Sequence, residues 1–118
     1  MGLDTYAVAL TENGKIKRAS KELFKDGIAL VDSDDDGHFR GKVYAGVVLE
    51  ATNQSLYFEI LYPETVAKMS KDFDEWLDNH GQAPYIDEDW EISYEELKSL
   101  QKFFWICKEH ELALRGSW

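Results

Sequence analysis

Six residues are placed where they could hold a ligand: Asp4, Tyr6, Arg40, Lys42, Tyr44 and Tyr57. Arginine and lysine donate to carboxylate or phosphate oxygens, tyrosine stacks and hydrogen-bonds, and aspartate accepts. Arg40 and Lys42 flank Gly41. If a helix begins there, its unpaired backbone N–H groups and positive dipole end add to an anion site, with Tyr44 one turn along. The competing reading pairs Arg40 with the nearby aspartates, which are close and opposite in charge. Asp4 and Tyr6 would join the site from the first strand.

The residues ahead of this cluster, Asp32-Ser33-Asp34-Asp35-Asp36-Gly37, suggest a different chemistry. Asp32, Asp34, Asp36 and Gly37 match the first half of a calcium loop, in which alternate side chains converge on one hard cation and glycine permits the turn. Phe39 falls at the hydrophobic eighth position. Val43, however, stands where a bidentate glutamate should close the sphere, and Ile28–Val31 is too short and apolar for an entering helix. A full EF-hand is therefore not expected. Weak calcium binding and a solvated acidic turn both stay open, and no other cofactor is expected.

The remaining chemistry is sparse. Cys107 and His110 are three apart, but zinc wants four ligands and the chain has no second cysteine. Cys107 lies on an apolar stripe and reads as a small core residue. No nucleophile elbow, phosphate loop, dinucleotide fingerprint or zinc-protease motif occurs. From Asp72 to Glu96 there are ten acidic residues and no Lys or Arg, with Trp76, Tyr85, Trp90 and Tyr94 interleaved. That composition suits either a basic protein partner or ordinary solvated helix faces with their aromatics turned inward.

Composition narrows the classes. With 118 residues and 44% hydrophobic content, the chain fits a single domain spanning 1–118 that has its own core. The single cysteine precludes an internal disulfide. Net charge is −10, and unevenly spread. Residues 1–31 hold five Lys/Arg against four Asp/Glu, whereas the remainder holds eight against nineteen. Phosphate contacts dominate nucleic-acid affinity, so general DNA or RNA binding is not expected, nor is attraction to anionic membranes. The basic patch at Lys15, Lys17, Arg18, Lys21 and Lys25 leaves a small exception open, against the plainer reading of a solvated hairpin edge. No apolar run reaches the ~20 residues of a membrane span. The N-terminus lacks the regions of a signal peptide, and its Met-Gly lacks the rest of a lipidation pattern. The expectation is a cytoplasmic chain.

Local signals place the elements. Tyr6–Leu10 is β-prone, Asn13-Gly14 favours a two-residue type I′ turn, and Lys15–Arg18 would return. A short helix is expected from Ser20 to Gly27. Val43, Tyr44, Val47, Val48 and Ala51 form a helical stripe, opposed by β-branched content and Gly46; helix is favoured. Pro63 opens a second helix with Val66, Met69, Phe73, Trp76 and Leu77 on its apolar face, stopped at Gly81. Residues 81–92 read as a loop. Ser93 and Glu96 form a capping box ahead of a helix carrying Leu97, Leu100, Phe104 and Cys107. The alternating tail 112–118 reads as a closing strand on Tyr6–Leu10. The result is an α+β fold: a small antiparallel sheet, made of an N-terminal hairpin and a C-terminal strand, packed with about three helices.

Met1–Tyr6, Phe39-Arg40-Gly41-Lys42-Val43-Tyr44, Ser55-Leu56-Tyr57, Pro63–Val66 and the Phe103-Phe104 helix together resemble a group of small uncharacterised prokaryotic proteins that open with Met-Gly-Leu-Asp. The resemblance implies a prokaryotic cytoplasmic protein and no reaction. Asp32–Asp36 is not part of that pattern. The expected function is therefore non-enzymatic binding, of a small molecule or a basic protein, around the six residues above. The alternatives are a small enzyme acting on an anionic molecule, or weak calcium binding.

Overall fold

The computed structural model describes residues 2–25, 28–33, 37–87 and 89–118. Among the described residues, three helices and an antiparallel sheet form the α+β fold. In chain order these are β1 (Asp4–Leu10), β2 (Ile16–Arg18), a 3-10 turn (Lys21–Phe24), β3 (His38–Phe39), α1 (Gly41–Thr52), α2 (Pro63–His80), β4 (Tyr85–Ile86), β5 (Glu91–Ile92), α3 (Tyr94–Glu109) and β6 (Ala113–Ser117). Among the described residues, no helix is long and apolar enough to cross a membrane.

Strand β1 has three antiparallel partners but only two edges. Strand β6 pairs with Asp4–Val8, β3 with Thr5 and Tyr6, and β2 with Val8–Leu10. Because β6 overlaps both others, β2 and β3 must share the opposite edge, end to end. Ala7 marks the junction: its carbonyl accepts from Ala19 N–H at 3.1 Å and its N–H donates to Gly37 O at 2.7 Å. One strand position is thus filled by two pieces, and the chain between them leaves the sheet and returns. The turn joining β1 to β2 differs from expectation. Leu10 pairs with Ile16, Thr11 N–H donates to Lys15 O, and only Gly14 has positive φ. The loop is therefore longer than a two-residue type I′ turn, with glycine at its left-handed position.

The helix signals act where they stand. Val43, Tyr44, Val47 and Val48 of α1 are all buried, so the stripe outweighs the β-branched content. Pro63 occupies the first turn of α2, and Gly81 N–H closes onto Leu77 O at 3.0 Å with φ +79°. The box at Ser93 and Glu96 is formed reciprocally. Residues 81–92, read as loop, contain the short β4–β5 hairpin. Trp76, placed on the apolar face of α2, is only partly buried, because its indole N–H reaches out to Glu50 at 3.1 Å. Cys107 is fully buried, which pushes its thiol pKa up.

The helices cover one face of the sheet. Thr5, Ala7, Phe39 and Leu114 point into the core with Tyr44, Phe73, Leu100, Phe103 and Phe104. Gly116 also faces this side, where a Cβ would stand 2.6 Å from Phe58 O and 2.7 Å from Leu56 O. The residue between Arg115 and Ser117 therefore has to be glycine for the 56–58 segment to lie against β6. By the two-residue period of strands, Asp4, Tyr6, Val8, His38, Arg115 and Ser117 turn to the other face.

Candidate functional site

Tyr6 is the centre of that other face. His38 lies directly across β3 from it, and the two rings stack at 4.7 Å. The Arg18 guanidinium carbon sits 4.5 Å from the Tyr6 ring centroid, within cation–π range. Arg115 is its register partner on β6. Asp4, two residues before Tyr6, accepts from His38 Nε2 at 3.1 Å and from Arg40 Nη1 at 3.2 Å, both on Oδ1. An ionised carboxylate only accepts, so this contact fixes the proton on Nε2 of His38. Gly2 makes room for the arginine: a Cβ there would collide with the Arg40 guanidinium.

Burial raises the Asp4 carboxyl pKa, but hydrogen bonds from His38 and Arg40, with their charges, outweigh it and hold the group below its ordinary value. A depressed folded value means that this stabilisation is present above the unfolded value of 3.8 and is lost as pH falls through the folded one. Asp4→Asn is expected to flatten the acid side of the stability curve and leave the neutral and alkaline sides parallel to wild type. Urea midpoints measured between pH 2 and 7 test this.

Two cavities open beside Tyr6. One, of about 300 Å³, is lined by Tyr6, Val8, Ile16, Arg18, Arg115 and Ser117. A second, of about 510 Å³, shares Ile16, Arg115 and Ser117 and extends to Ile60 and Trp118, with Glu59 on its wall.

The structure thus brings Asp4, Tyr6 and Arg40 together, and among the described residues the side chains of the other three make no hydrogen bond, ion pair or ring contact with them. Lys42 is exposed on the first turn of α1, its backbone N–H donating to Leu3 O at 3.2 Å. Tyr57 lies against Trp118 at 5.7 Å and makes no ring or hydrogen-bond contact with the cluster. Tyr44 is fully buried, so it is a core residue and offers nothing to a ligand. Arg40 pairs with Asp4 on the first strand; of the neighbouring aspartates expected as its partners, Asp34, Asp35 and Asp36 lie outside the described residues. His38, Arg18 and Arg115 were not among the expected site residues. The signal that could have found Arg115 was the alternation of the closing strand once registered against β1.

The other candidate chemistries find less support. Asp34 and Asp36 lie outside the described residues, and Asp32 is exposed with φ +60°. Among the described residues, no three His, Cys, Asp or Glu side chains are grouped to hold a metal ion. In the acidic segment, Trp76, Tyr85 and Tyr94 pack against the core while Trp90 stays exposed.

The architecture and this face define the molecule as a small α+β domain with an open, arginine-bearing sheet face. No protein-family model, curated protein or solved structure matches the chain.

Proposed function

We propose that the protein is a non-enzymatic binding domain whose site is the open face of the sheet around Tyr6. One observation carries this reading. In a chain of net charge −10, two arginines and a histidine surround one tyrosine beside a cavity on the sheet face turned away from the aromatic core, and Asp4 next to it holds a third arginine. A merely solvated sheet face has no need of such an arrangement, and Asp4 holds Arg40 and His38 in fixed positions on it. With its one thiol buried in the core, the chain suits a reducing cytoplasm.

A fragment screen read by backbone amide NMR tests the reading. Ligands are expected to shift Asp4–Val8, His38 and Arg115–Ser117. Tyr6→Ala combined with Arg40→Ala should weaken them by about tenfold or more, the scale of one lost charge-assisted contact. Hits that cluster elsewhere and ignore the double variant would defeat the proposal. A second reading, a small enzyme acting on an anionic molecule, draws on the Asp4–His38 pair, which has the form of an oriented general base. Turnover of a bound anion that is lost in His38→Ala while binding persists would favour it.

A further inference from the structure

We infer that the cavity between Tyr6 and Ser117 takes the acid group of a small organic oxyanion, a carboxylate or phosphate monoester, carrying a compact apolar body. This rests on the reading of the open face as the binding site and names what binds there.

Strand register builds the cavity. Tyr6 pairs with Arg115, Val8 with Arg18 and Leu10 with Ile16, so their side chains stand on one face with Ser117 two residues beyond Arg115. Val8 is buried and forms an apolar floor, with Ile16 beside it. Arg18 and Arg115 rise on opposite flanks, and Ser117 adds a hydroxyl. Among the described residues, no carboxylate lines this cavity. The nearest acidic residue on β1, Asp4, already accepts from His38 and Arg40. Among the described residues, Arg115 has no hydrogen-bond acceptor or ion-pair partner, so its planar fork is available to a group from solution. That fork matches the two oxygens of a carboxylate or phosphate.

Size and polarity define the rest of the ligand. A volume of about 300 Å³ is at the lower end for small-molecule sites, room for an acid group and part of a compact body. The adjoining cavity continues past Arg115 to Ile60 and Trp118, which provides an apolar seat for the body. Glu59 on that wall repels a second negative group, so a single acid at one end is favoured over a diacid. The overall charge of −10 does not draw anions from a distance, so recognition depends on these local groups.

The test is an amide NMR titration of the full chain with phenyl phosphate and with phenylacetate, alongside inorganic phosphate and 2-phenylethanol. Both organic acids are expected to give saturable shifts at Tyr6, Val8, Ile16–Arg18 and Arg115–Trp118. Arg115→Gln should weaken them by about tenfold or more, Arg115→Lys by less, and Lys68→Gln not at all. The exposed position of Arg115 keeps these variants folded, which the dispersion of the same spectra verifies. The difference between the two acids identifies which oxyanion is preferred. If 2-phenylethanol binds this face as tightly as the acids, or Arg115→Gln leaves their affinity intact, the oxyanion assignment fails while the face survives as a site. Inorganic phosphate binding as tightly as phenyl phosphate would remove the apolar body. Saturable shifts from every probe confined to other surfaces would overturn this inference and the proposed site together.

Discussion

Tyr44→Ala is expected to destabilise the fold by about 3–5 kcal/mol, the range for deleting a buried aromatic ring, and Tyr44→Phe by about 1–3 kcal/mol, the range for stranding a buried hydrogen-bonding group. The ring is fully buried on α1 and meets Phe39 edge-on at 5.7 Å. Its hydroxyl accepts from Val31 N–H at 2.9 Å and donates to Glu96 Oε2 at 2.6 Å. Glu96 is also the residue whose other oxygen accepts from Ser93 N–H in the α3 capping box. One hydroxyl therefore ties α1, the segment before β3 and the start of α3 together. Phenylalanine keeps the volume but leaves the Val31 N–H without its acceptor.

The same residue gives a pH signature. Burial pushes the phenol up, and the hydrogen bond and charge of Glu96 push it further, so the neutral form is held in the fold. A raised folded value contributes stability that is present below the unfolded value of 10.0 and lost as pH rises beyond it. Burial raises Cys107 and Tyr85 as well, with nearby carboxylates adding to Tyr85, so Tyr44→Phe should shrink the alkaline loss without abolishing it. Urea midpoints at pH 7 and across pH 9–11 provide both readouts. A Tyr44→Phe midpoint equal to wild type at pH 7 would show that the hydroxyl's bonds are readily replaced by water.

Tyr44 also shows what was legible beforehand and what was not. Its place on a helical stripe could be read locally, because four neighbours repeat the period. Its chemistry could not, because Glu96 and Val31 reach it only through the fold. Caps and stops follow the same division. Pro63, Gly81 and the Ser93–Glu96 box act within a few residues of themselves and mark the helices correctly. The sharing of one β1 edge by β2 and β3 depends on register between distant segments, and no local residue announces it. The site inherits that division. Asp4 and Tyr6 could be chosen from one strand and Arg40 from one motif. His38, Arg18 and Arg115 reach the same face only when three separate pairings are in place, and Arg18 by itself looked like an ordinary hairpin-edge charge. Lys42 enters by its place beside Gly41 at an expected helix start and Tyr57 by residue type, and nothing in the strand pairing brings either to Tyr6.

Phe103→Ala is expected to cost about 3–5 kcal/mol as well, with an effect that reaches the site. The ring is fully buried on α3 and meets Phe24 at 4.8 Å and Phe39 at 4.9 Å. Phe24 ends the 3-10 turn where the chain has left the sheet, and Phe39 is the β3 residue where it has returned. One side chain of α3 therefore anchors both flanks of the excursion between β2 and β3. His38 precedes Phe39, so β3 holds its imidazole against Tyr6 and Asp4 only while Phe39 stays seated. A cavity at 103 should therefore loosen β3 selectively. Amide shifts and faster exchange are expected at His38, Phe39 and Tyr6, while the pairing of β1 with β6 persists. Leu100→Ala, equally buried one turn earlier but with no ring to bridge Phe24 and Phe39, should cost stability and leave His38 in place. Denaturant midpoints and hydrogen exchange on the two variants separate these outcomes. Uniform loosening of the whole sheet in both would mean that β3 owes its position to its short pairing with β1 and not to the aromatic anchor. The small strand depends on that anchor because its ladder with β1 spans only two residue pairs, too few to hold His38 on the open face unaided.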